Sequence, residues 1–331
     1  MKTKLFITGH TGMLAKSIID ILDYNKYEII YNKLYATYTN VFHYLKNKQI
    51  KDSEIDITSK KNLNYIQNSL DENSIIIHTA AYVNTDKCEK YFYDAVKSNV
   101  LGTQYLIDIA LKKKCKIINF STTAIFDPDE YMKNNGKFNE TATINPKTIY
   151  GLTKYSAELA IKQSLKKQKF LTIKPVFIYG DAPYDNSSMI RKILERIYLN
   201  KINKTNKQLS VFLDPEIFKD YMRSEYFAKM FYFILNNFDN LSGKDFIISR
   251  NKPMPFKHYL NIICELTGIT FDELINKHIK INKDLDYLKN HNGISENFYK
   301  FFDYKLPNEA YNDRLGILKT YNSIINIYKS L

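Results

Sequence analysis

Tyr150 and Lys154 form a tyrosine-lysine pair that follows a strand-like run ending in two hydroxyl residues, Ser121 and Thr122. Four residues make about one helical turn, so the lysine ammonium can sit near the phenol and favour the phenolate. A phenol with an ordinary pKa of about 10 would then transfer protons near neutrality. Because the chain has 27 Tyr, the spacing also arises by chance, and its meaning depends on the surrounding elements.

A glycine-rich turn stands at the start of the chain, directly after the apolar run 3–8. Its spacing is GxxGxxA, which lets the backbone turn sharply and approach a pyrophosphate at a helix N-terminus. A plain structural turn would need the same glycines, but the order strand, glycine turn, helix favours a dinucleotide. The predicted cofactor contacts in this turn are Gly9, Thr11, Gly12, Met13 and Leu14.

Strand and helix patterns alternate through the first half of the chain. Predicted strands follow at 34–37, 74–78, 115–120 and 170–176, and helical patterns include 94–111 and 150–166. This order predicts an α/β fold with a doubly wound parallel sheet that binds ligands at the carboxyl ends of its strands. After about residue 180, longer helical patterns (187–200, 223–237, 256–267 and 313–330) accompany strands only at 209–212 and 245–248.

Two functional regions are therefore expected. Residues 1–180 form a dinucleotide-binding domain that carries the catalytic residues, and residues 181–331 form a smaller helix-rich substrate lobe, partly interleaved with the first. The predicted second strand leads into a segment, Leu34–Asn40, without Asp or Glu, the residues that would bind the ribose 2′-hydroxyl of NAD. NADP(H) is therefore favoured, although Lys33 is the one nearby cation and NAD(H) stays open.

The composition limits the class of protein. The 331 residues are 44% hydrophobic, which suits an ordinary globular core, and no stretch resembles a signal peptide or a membrane span. The net charge of +13 comes from dispersed lysines, which favours a solvated surface over a nucleic-acid footprint. The three cysteines lack the spacing of a disulfide framework or a zinc site. We expect a cytoplasmic protein with no metal, no membrane and no nucleic-acid partner.

Six motifs in order along residues 3–180 resemble the extended short-chain dehydrogenase/reductase family, whose dinucleotide-binding part is a Rossmann-type sheet. They are the glycine turn, Asp56-Ile57, His78-Thr-Ala80-Ala81-Tyr82, Asn99-Val-Leu-Gly102-Thr, Ser121-Thr122, and Tyr150 to Lys154 preceded by Asn145-Pro146. Within the family, the runs 54–58, 80–89 and 121–127 are similar to dTDP-4-dehydrorhamnose reductases, and the glycine turn also resembles GDP-fucose synthases. Both groups reduce a nucleotide-linked 4-keto-6-deoxysugar.

This resemblance implies a role for each matching residue. Tyr150 would protonate the alkoxide that forms at C4, Lys154 would bind the nicotinamide ribose and lower the pKa of the tyrosine, and Thr122 would contact the carbonyl oxygen. Further implied cofactor contacts are Asp56, Ile57, Ala80, Ala81, Tyr82 and Pro175. Implied substrate contacts are Asn84, Thr123, Phe177 and Lys219. The family further implies a homodimer and a place in deoxysugar synthesis for a surface polysaccharide.

Several positions depart from the rhamnose-reductase pattern and keep alternatives open. Thr123-Ala124 replaces Asp-Tyr, and the run Lys174-Pro175 together with 218–222, where Lys219 replaces Arg, resembles sugar-nucleotide epimerases and dehydratases. A dehydratase would need an Asp-Glu pair after Thr122, so it is disfavoured. An NAD-dependent 4-epimerase remains an alternative, and so does a non-catalytic subunit that retains the dinucleotide fold. The intact Thr122, Tyr150 and Lys154 argue against the non-catalytic reading.

Overall fold

A computed structural model of the protein describes residues 2–9, 12–30, 57–58, 60–133, 135–167, 169–181, 188–211, 214–282 and 292–329. The strands are β1 (Thr3–Thr8), β2 (Tyr27–Ile30), β3 (Ile75–His78), β4 (Lys116–Phe120), β5 (Lys137–Phe138), β6 (Phe170–Pro175), β7 (Phe177–Tyr179), β8 (Leu209–Val211), β9 (Phe218–Lys219), β10 (Tyr221–Arg223), β11 (Asp245–Ile248), β12 (Met254–Pro255), β13 (Ile279–Ile281) and β14 (Asn292–Gly293).

The α-helices are α1 (Met13–Ile19), α2 (Lys60–Ser69), α3 (Thr85–Lys90), α4 (Phe92–Val96), α5 (Gly102–Lys113), α6 (Pro128–Met132), α7 (Ile149–Ser164), α8 (Met189–Asn203), α9 (Ser224–Asn236), α10 (Phe256–Thr267), α11 (Phe271–Glu273), α12 (Glu296–Phe301) and α13 (Asp313–Lys329). Two π-helical turns are present at Lys97–Leu101 and Leu274–His278. Single 3₁₀ turns occur at Thr123–Ile125, Phe238–Asn240 and Asn308–Tyr311.

Six parallel strands form the central sheet in the order β11-β6-β4-β3-β1-β2. The chain moves from β1 to β2 on one side and then to β3 on the other, so the strand order reverses between β1 and β3. Ligands of doubly wound sheets bind outside the carboxyl ends of the strands at such a reversal. The glycine turn after β1 therefore lies where the sequence predicts a cofactor.

Alternate residues of each strand pack against opposite helical layers, as the two-residue period of a strand requires. Leu5 and Ile7 of β1 join the core formed with α1 and α9, which includes Phe231. Phe6 faces the other way and packs in the core that includes Leu106 of α5. Both faces of the sheet are covered, which explains why the strands are continuous apolar runs.

The C-terminal part of the chain contributes to the central sheet as well as to a core of its own. β11 pairs in parallel with β6, with Asp245 opposite Thr172 and Ile248 opposite Pro175. A separate apolar cluster joins α8, α10 and α13, for example through Ile193. The two strands predicted after residue 180 are present as β8 and β11. The structure also contains short two-stranded sheets that were not predicted, such as β7 with β10.

The second strand lies earlier than the sequence pattern indicated. β2 occupies Tyr27–Ile30 and pairs with β1 from Thr3 to Phe6, whereas the predicted strand 34–37 falls outside the described residues. The run Tyr-Glu-Ile-Ile has only four residues and one of them is charged, so its hydrophobic pattern is too short to predict a strand. The residues that follow Ile30 in the sequence read Tyr31-Asn-Lys33, again without a carboxylate.

Candidate active site

The turns after β1 and β3 touch each other at the carboxyl edge of the sheet. Gly9 has a φ of +65°, and a Cβ on it would lie 2.8 Å from the backbone nitrogen of Ala80, so a larger residue is excluded twice. Gly12 precedes α1, and Met13 and Leu14 line the cavity that opens above this edge. Thr11 lies outside the described residues.

The loop after β3 forms one wall of this cavity. Thr79, Ala81 and Val83 line it, whereas the Ala80 nitrogen donates to Thr8 Oγ1 at 3.1 Å. Asn84 does not line the cavity: its side chain accepts from the Lys87 nitrogen at 2.8 Å and caps α3. A capping role explains why an amide residue stands there, whereas the resemblance implied that Asn84 contacts the substrate.

Two other residues assigned to the cofactor lie away from the cavity lining. Tyr82 is bound through its backbone to Asn99. Ile57 is buried, and a Cβ on Gly102 would lie 2.6 Å from its Cδ1, so its visible role is packing against α5. Its neighbour Asp56 falls outside the described residues.

Thr122 and Tyr150 meet in the middle of the cavity. Thr122 Oγ1 accepts from the Ala124 nitrogen at 3.1 Å, and the neighbouring Thr122 hydroxyl lowers the pKa of the Tyr150 phenol. Because the Thr122 oxygen already accepts one bond, its proton is free to be donated to the phenol oxygen or to a carbonyl placed beside it. Gly151 permits this approach, since a Cβ there would lie 2.5 Å from the Ala124 carbonyl oxygen.

Lys154 follows Tyr150 by one turn of α7 and lines the same cavity while its side chain is only 1% exposed. Its Nζ makes no hydrogen bond with a described residue, so it is available to a ligand. Burial lowers the pKa of Lys154 to about 8, and the negative charge of Glu158 opposes that shift.

The pKa of Tyr150 moves in the direction opposite to the one expected from the sequence. Burial raises it to about 12, and the hydrogen bond with Thr122 only partly offsets the rise. Lys154 does not lower it, because the pKa of Lys154 is itself lowered to about 8, so the ammonium loses its charge before the phenol titrates. Tyr150 is therefore a neutral phenol at neutral pH, the form that can donate a proton.

The loop after β3, which forms one wall of the cavity, is called the cofactor wall below. Asn99 connects this wall to the helix that carries Tyr150. Its Oδ1 accepts from the Tyr82 nitrogen at 2.7 Å, and its Nδ2 donates to Tyr82 O at 3.1 Å and to Thr153 Oγ1 at 3.0 Å. The Thr153 hydroxyl in turn donates to the Tyr150 carbonyl at 2.9 Å. The π-helical turn 97–101 carries this fully buried amide, and such turns are frequent at functional sites.

A buried ion group lies further along α7. Lys174 Nζ lies 2.8 Å from Asp245 Oδ2 and 3.3 Å from Glu158 Oε1, and Lys162 contacts the same two carboxylates. Lys174, one of the departures from the rhamnose-reductase pattern, thus joins β6, β11 and α7. Removing one partner of such a group would leave a buried charge uncompensated.

The far end of the cavity is formed by the C-terminal part of the chain. Lys219 is 3% exposed, and its Nζ lies 4.6 Å from the centre of the Phe177 ring. Burial lowers the pKa of Lys219 to about 7. Ser188 stands at the N-terminus of α8 with a buried Oγ that has no partner among the described residues. No motif in the sequence indicates Ser188, which falls within the predicted helical pattern 187–200.

The cavity has a volume of about 510 Å³ and brings most of the predicted site residues together. Those that line it are Gly9, Gly12, Met13, Leu14, Ala81, Thr122, Thr123, Tyr150, Lys154, Pro175, Phe177 and Lys219. Among the described lining residues the charged side chains are lysines, with no carboxylate. The part of the chain that is described also holds no cluster of side chains suited to a metal ion. Such a cationic cleft suits a polyanionic ligand.

The parallel sheet with its glycine turn and the tyrosine-lysine pair above it are of the short-chain dehydrogenase/reductase type. Residues 3–212 match the model of the RmlD substrate binding domain, and the chain belongs to that family. A dTDP-4-dehydrorhamnose reductase of Aggregatibacter actinomycetemcomitans is 32% identical over 156 residues, which are 47% of this chain and 45% of the relative. The chain spans about half the length of the curated relatives it matches.

Solved structures show the same fold along almost the whole chain. A UDP-glucose 4-epimerase of Thermotoga maritima, determined with UDP-glucose, has a TM-score of 0.74 at 18% identity and covers 98% of this chain and 99% of its own. RMD from Pseudomonas aeruginosa, complexed with NADPH, has a TM-score of 0.73 at 13% identity and covers both chains fully, at 100% each. Within the described residues, every helix is too short or too polar to cross a membrane.

Proposed function

We propose that the protein is an NAD(P)H-dependent reductase of a nucleotide-diphospho-4-keto-6-deoxysugar that serves deoxysugar synthesis for a surface polysaccharide. One observation carries the proposal: a single cavity reaches from the glycine turn at Gly9, past Tyr150, to Lys219. It offers a dinucleotide end, reacting groups in the middle and a cationic outer end for a nucleotide sugar. The name of the relative from Aggregatibacter actinomycetemcomitans supports this substrate class.

Reduction of a ketone needs a hydride on carbon and a proton on oxygen. A bound reduced nicotinamide would supply the hydride. Tyr150 supplies the proton, which its high pKa keeps on the phenol until the alkoxide forms. Thr122 donates its hydroxyl hydrogen bond to the same oxygen and orients the carbonyl beside the phenol.

Lys154 has two roles in this proposal. Its buried Nζ binds the hydroxyls of the nicotinamide ribose, which places the dinucleotide against Ala81 in the cofactor wall. Its positive charge also stabilises the tyrosinate left after proton transfer, one helical turn away.

Lys219 and Ser188 are proposed to bind the diphosphate of the sugar nucleotide. Ser188 precedes α8, a helix of fifteen residues whose N-terminal backbone amides favour an anion. Lys219 adds a positive charge that a phosphate would hold in the protonated state. The Phe177 ring beside Lys219 supplies an apolar surface. With the diphosphate bound at Lys219, the sugar would lie on the Tyr150 side of it and the base on the other side. In this scheme residues 1–180 bind the dinucleotide and residues 181–331 provide most of the substrate contacts.

The cavity favours reduction over dehydration. A 4,6-elimination needs a carboxylic acid and a base beside the sugar, and Thr123 and Ala124 stand where the dehydratase pattern has Asp and Glu. Supplying dTDP-, GDP-, UDP- and CDP-4-keto-6-deoxysugars with NADPH or NADH and following the absorbance loss tests this directly. Stoichiometric oxidation of one coenzyme supports the reductase. Inversion at C4 of a nucleotide sugar that carries a C4 hydroxyl, such as UDP-glucose, with no net oxidation or reduction of the coenzyme would establish a 4-epimerase in its place.

NADPH is the coenzyme we propose, because the residues that follow β2 include no carboxylate to bind an adenosine 2′-hydroxyl, and Lys33 adds a cation. The same assay, with NADPH and NADH compared at equal concentration, measures the preference. We further propose a cytoplasmic setting, which agrees with three buried thiols, Cys88, Cys115 and Cys264, all free.

A homodimer is proposed through the outer faces of α4, the following π turn and α7, which pack side by side. Leu152 and Leu159 are 45% and 40% exposed one above the other on α7, and Tyr93 and Leu101 extend the apolar surface. Sedimentation of the wild type against the double variant Leu152→Glu, Leu159→Glu tests it. Leu318→Glu on α13 is the control. A monomeric wild type would contradict the dimer.

A further inference from the structure

The first turn of α7, which carries Tyr150, is held by a side chain from another helix. The Ile149 nitrogen donates to Glu89 Oε1 at 2.8 Å, although the two residues are 60 positions apart. The Gly151 nitrogen is capped locally by Thr148 Oγ1 at 3.0 Å. Tyr150 lies between these two capped amides, so its backbone position depends on both.

Glu89 belongs to α3, which is an extension of the cofactor wall. Cys88 is fully buried, and its Sγ donates to the Tyr82 carbonyl at 3.3 Å, which anchors α3 to the loop after β3. Val83 and Thr85, at the start of this helix, line the cavity. A shift of the cofactor wall would therefore reach Glu89 through a short and rigid helix.

The opposite side of the same turn is also in close contact. A Cβ on Gly151 would lie 2.5 Å from the Ala124 carbonyl oxygen and 3.1 Å from Pro146 Cβ. The first turn of α7 therefore packs directly on the loop that carries Thr122. Glu89 holds it from the cofactor side, and the Thr122 loop holds it from the substrate side.

We infer that Glu89 is a positioning residue for the proton transfer: its hydrogen bond to the Ile149 nitrogen sets the distance between Tyr150 and the cofactor wall. This inference rests on the proposed reductase function. The bond needs an acceptor oxygen at the end of a side chain of this length, which Gln provides and Ala does not. A misplacement of the phenol by about 1 Å is enough to cost up to about 10²-fold in rate.

Three variants of the full chain test the role: Glu89→Ala, Glu89→Gln and, as a matched control, Asp86→Ala, which removes another exposed carboxylate of α3. For Glu89→Ala we expect kcat to fall about tenfold, with KM for the sugar and Kd for the coenzyme within about twofold of wild type. Glu89→Gln and Asp86→Ala should keep near-normal kcat. A general loss of folding would instead change KM, Kd and kcat together.

Amide hydrogen exchange of the peptide that covers residues 149–152 gives a readout that needs no substrate. Exchange should be faster in Glu89→Ala than in wild type and unchanged in Glu89→Gln. A wild type that reduces no sugar of the panel overturns the proposed function, and the exchange result still decides whether Glu89 holds the turn. Equal exchange in Glu89→Ala and wild type, or an unchanged kcat in Glu89→Ala, overturns the inference.

Discussion

Asn99 Nδ2 lies 3.0 Å from Thr153 Oγ1, and this hydrogen bond joins the loop after β3 to the helix that carries Tyr150. The same amide satisfies both backbone groups of Tyr82. The fully buried Asn99 side chain thus sets the spacing between the cofactor wall and Tyr150, the proposed acid.

Replacing this amide should destabilise the protein. In Asn99→Leu the Tyr82 nitrogen loses its acceptor and the Tyr82 carbonyl keeps only the Cys88 thiol as a donor, so we expect the free energy of unfolding to fall by about 1 to 3 kcal/mol. Denaturant titration measures it. Thr153→Val removes two hydrogen bonds of the network, the one from Asn99 Nδ2 and the one to the Tyr150 carbonyl, and should cost about 1 to 2 kcal/mol. A change below about 0.5 kcal/mol for Asn99→Leu would contradict the role, since surface substitutions stay within that range.

Removing the phenolic oxygen should separate chemistry from binding. For Tyr150→Phe we expect kcat to fall by about 10²- to 10⁴-fold, because the proposed proton donor is lost and Thr122 only hydrogen bonds with the carbonyl oxygen. Coenzyme affinity, measured by fluorescence titration, should stay near that of wild type. Tyr155→Phe on the same helix is the control and should be active. Near-normal turnover of Tyr150→Phe would require another acid.

The rate of reduction should depend on pH through Lys154. Its pKa is lowered to about 8, so the ammonium is present below that pH and is lost as the pH rises through it. We expect kcat at saturating sugar nucleotide to be level from pH 6 to about 7.5 and to fall above about 8, because the ribose contact and the stabilising charge disappear together. A profile that stays level to pH 10 would argue that Lys154 does not act through its charge.

Substrate affinity should have its own pH dependence through Lys219. Its pKa is lowered to about 7, and a bound diphosphate favours the protonated form, so binding takes up a proton above that pH. KM for the sugar nucleotide should rise with pH above about 7. Lys219→Met should raise KM by at least about tenfold and remove this dependence, whereas the exposed Lys257→Met should not. An unchanged KM in Lys219→Met would show that the diphosphate binds elsewhere.

The order of the elements was readable from the sequence because the local patterns are strong. Residues close together in the chain define the glycine turn and the alternation of strand and helix. They also define the bounds of elements such as Phe256–Thr267 and Asp245–Ile248, which match the prediction. A short strand with a charged residue, Tyr27–Ile30, gave too weak a period to be recognised.

Thr122, Tyr150 and Lys154 could be recognised from the sequence by their type, spacing and order. Their ionisation state and the contacts that hold them depend on the folded chain. Burial raises the pKa of Tyr150 where helical spacing to Lys154 predicted a decrease. Desolvation, like the contacts of Asn99 and Glu89 with the Tyr150 helix, arises between segments far apart in the chain, so no local pattern records it.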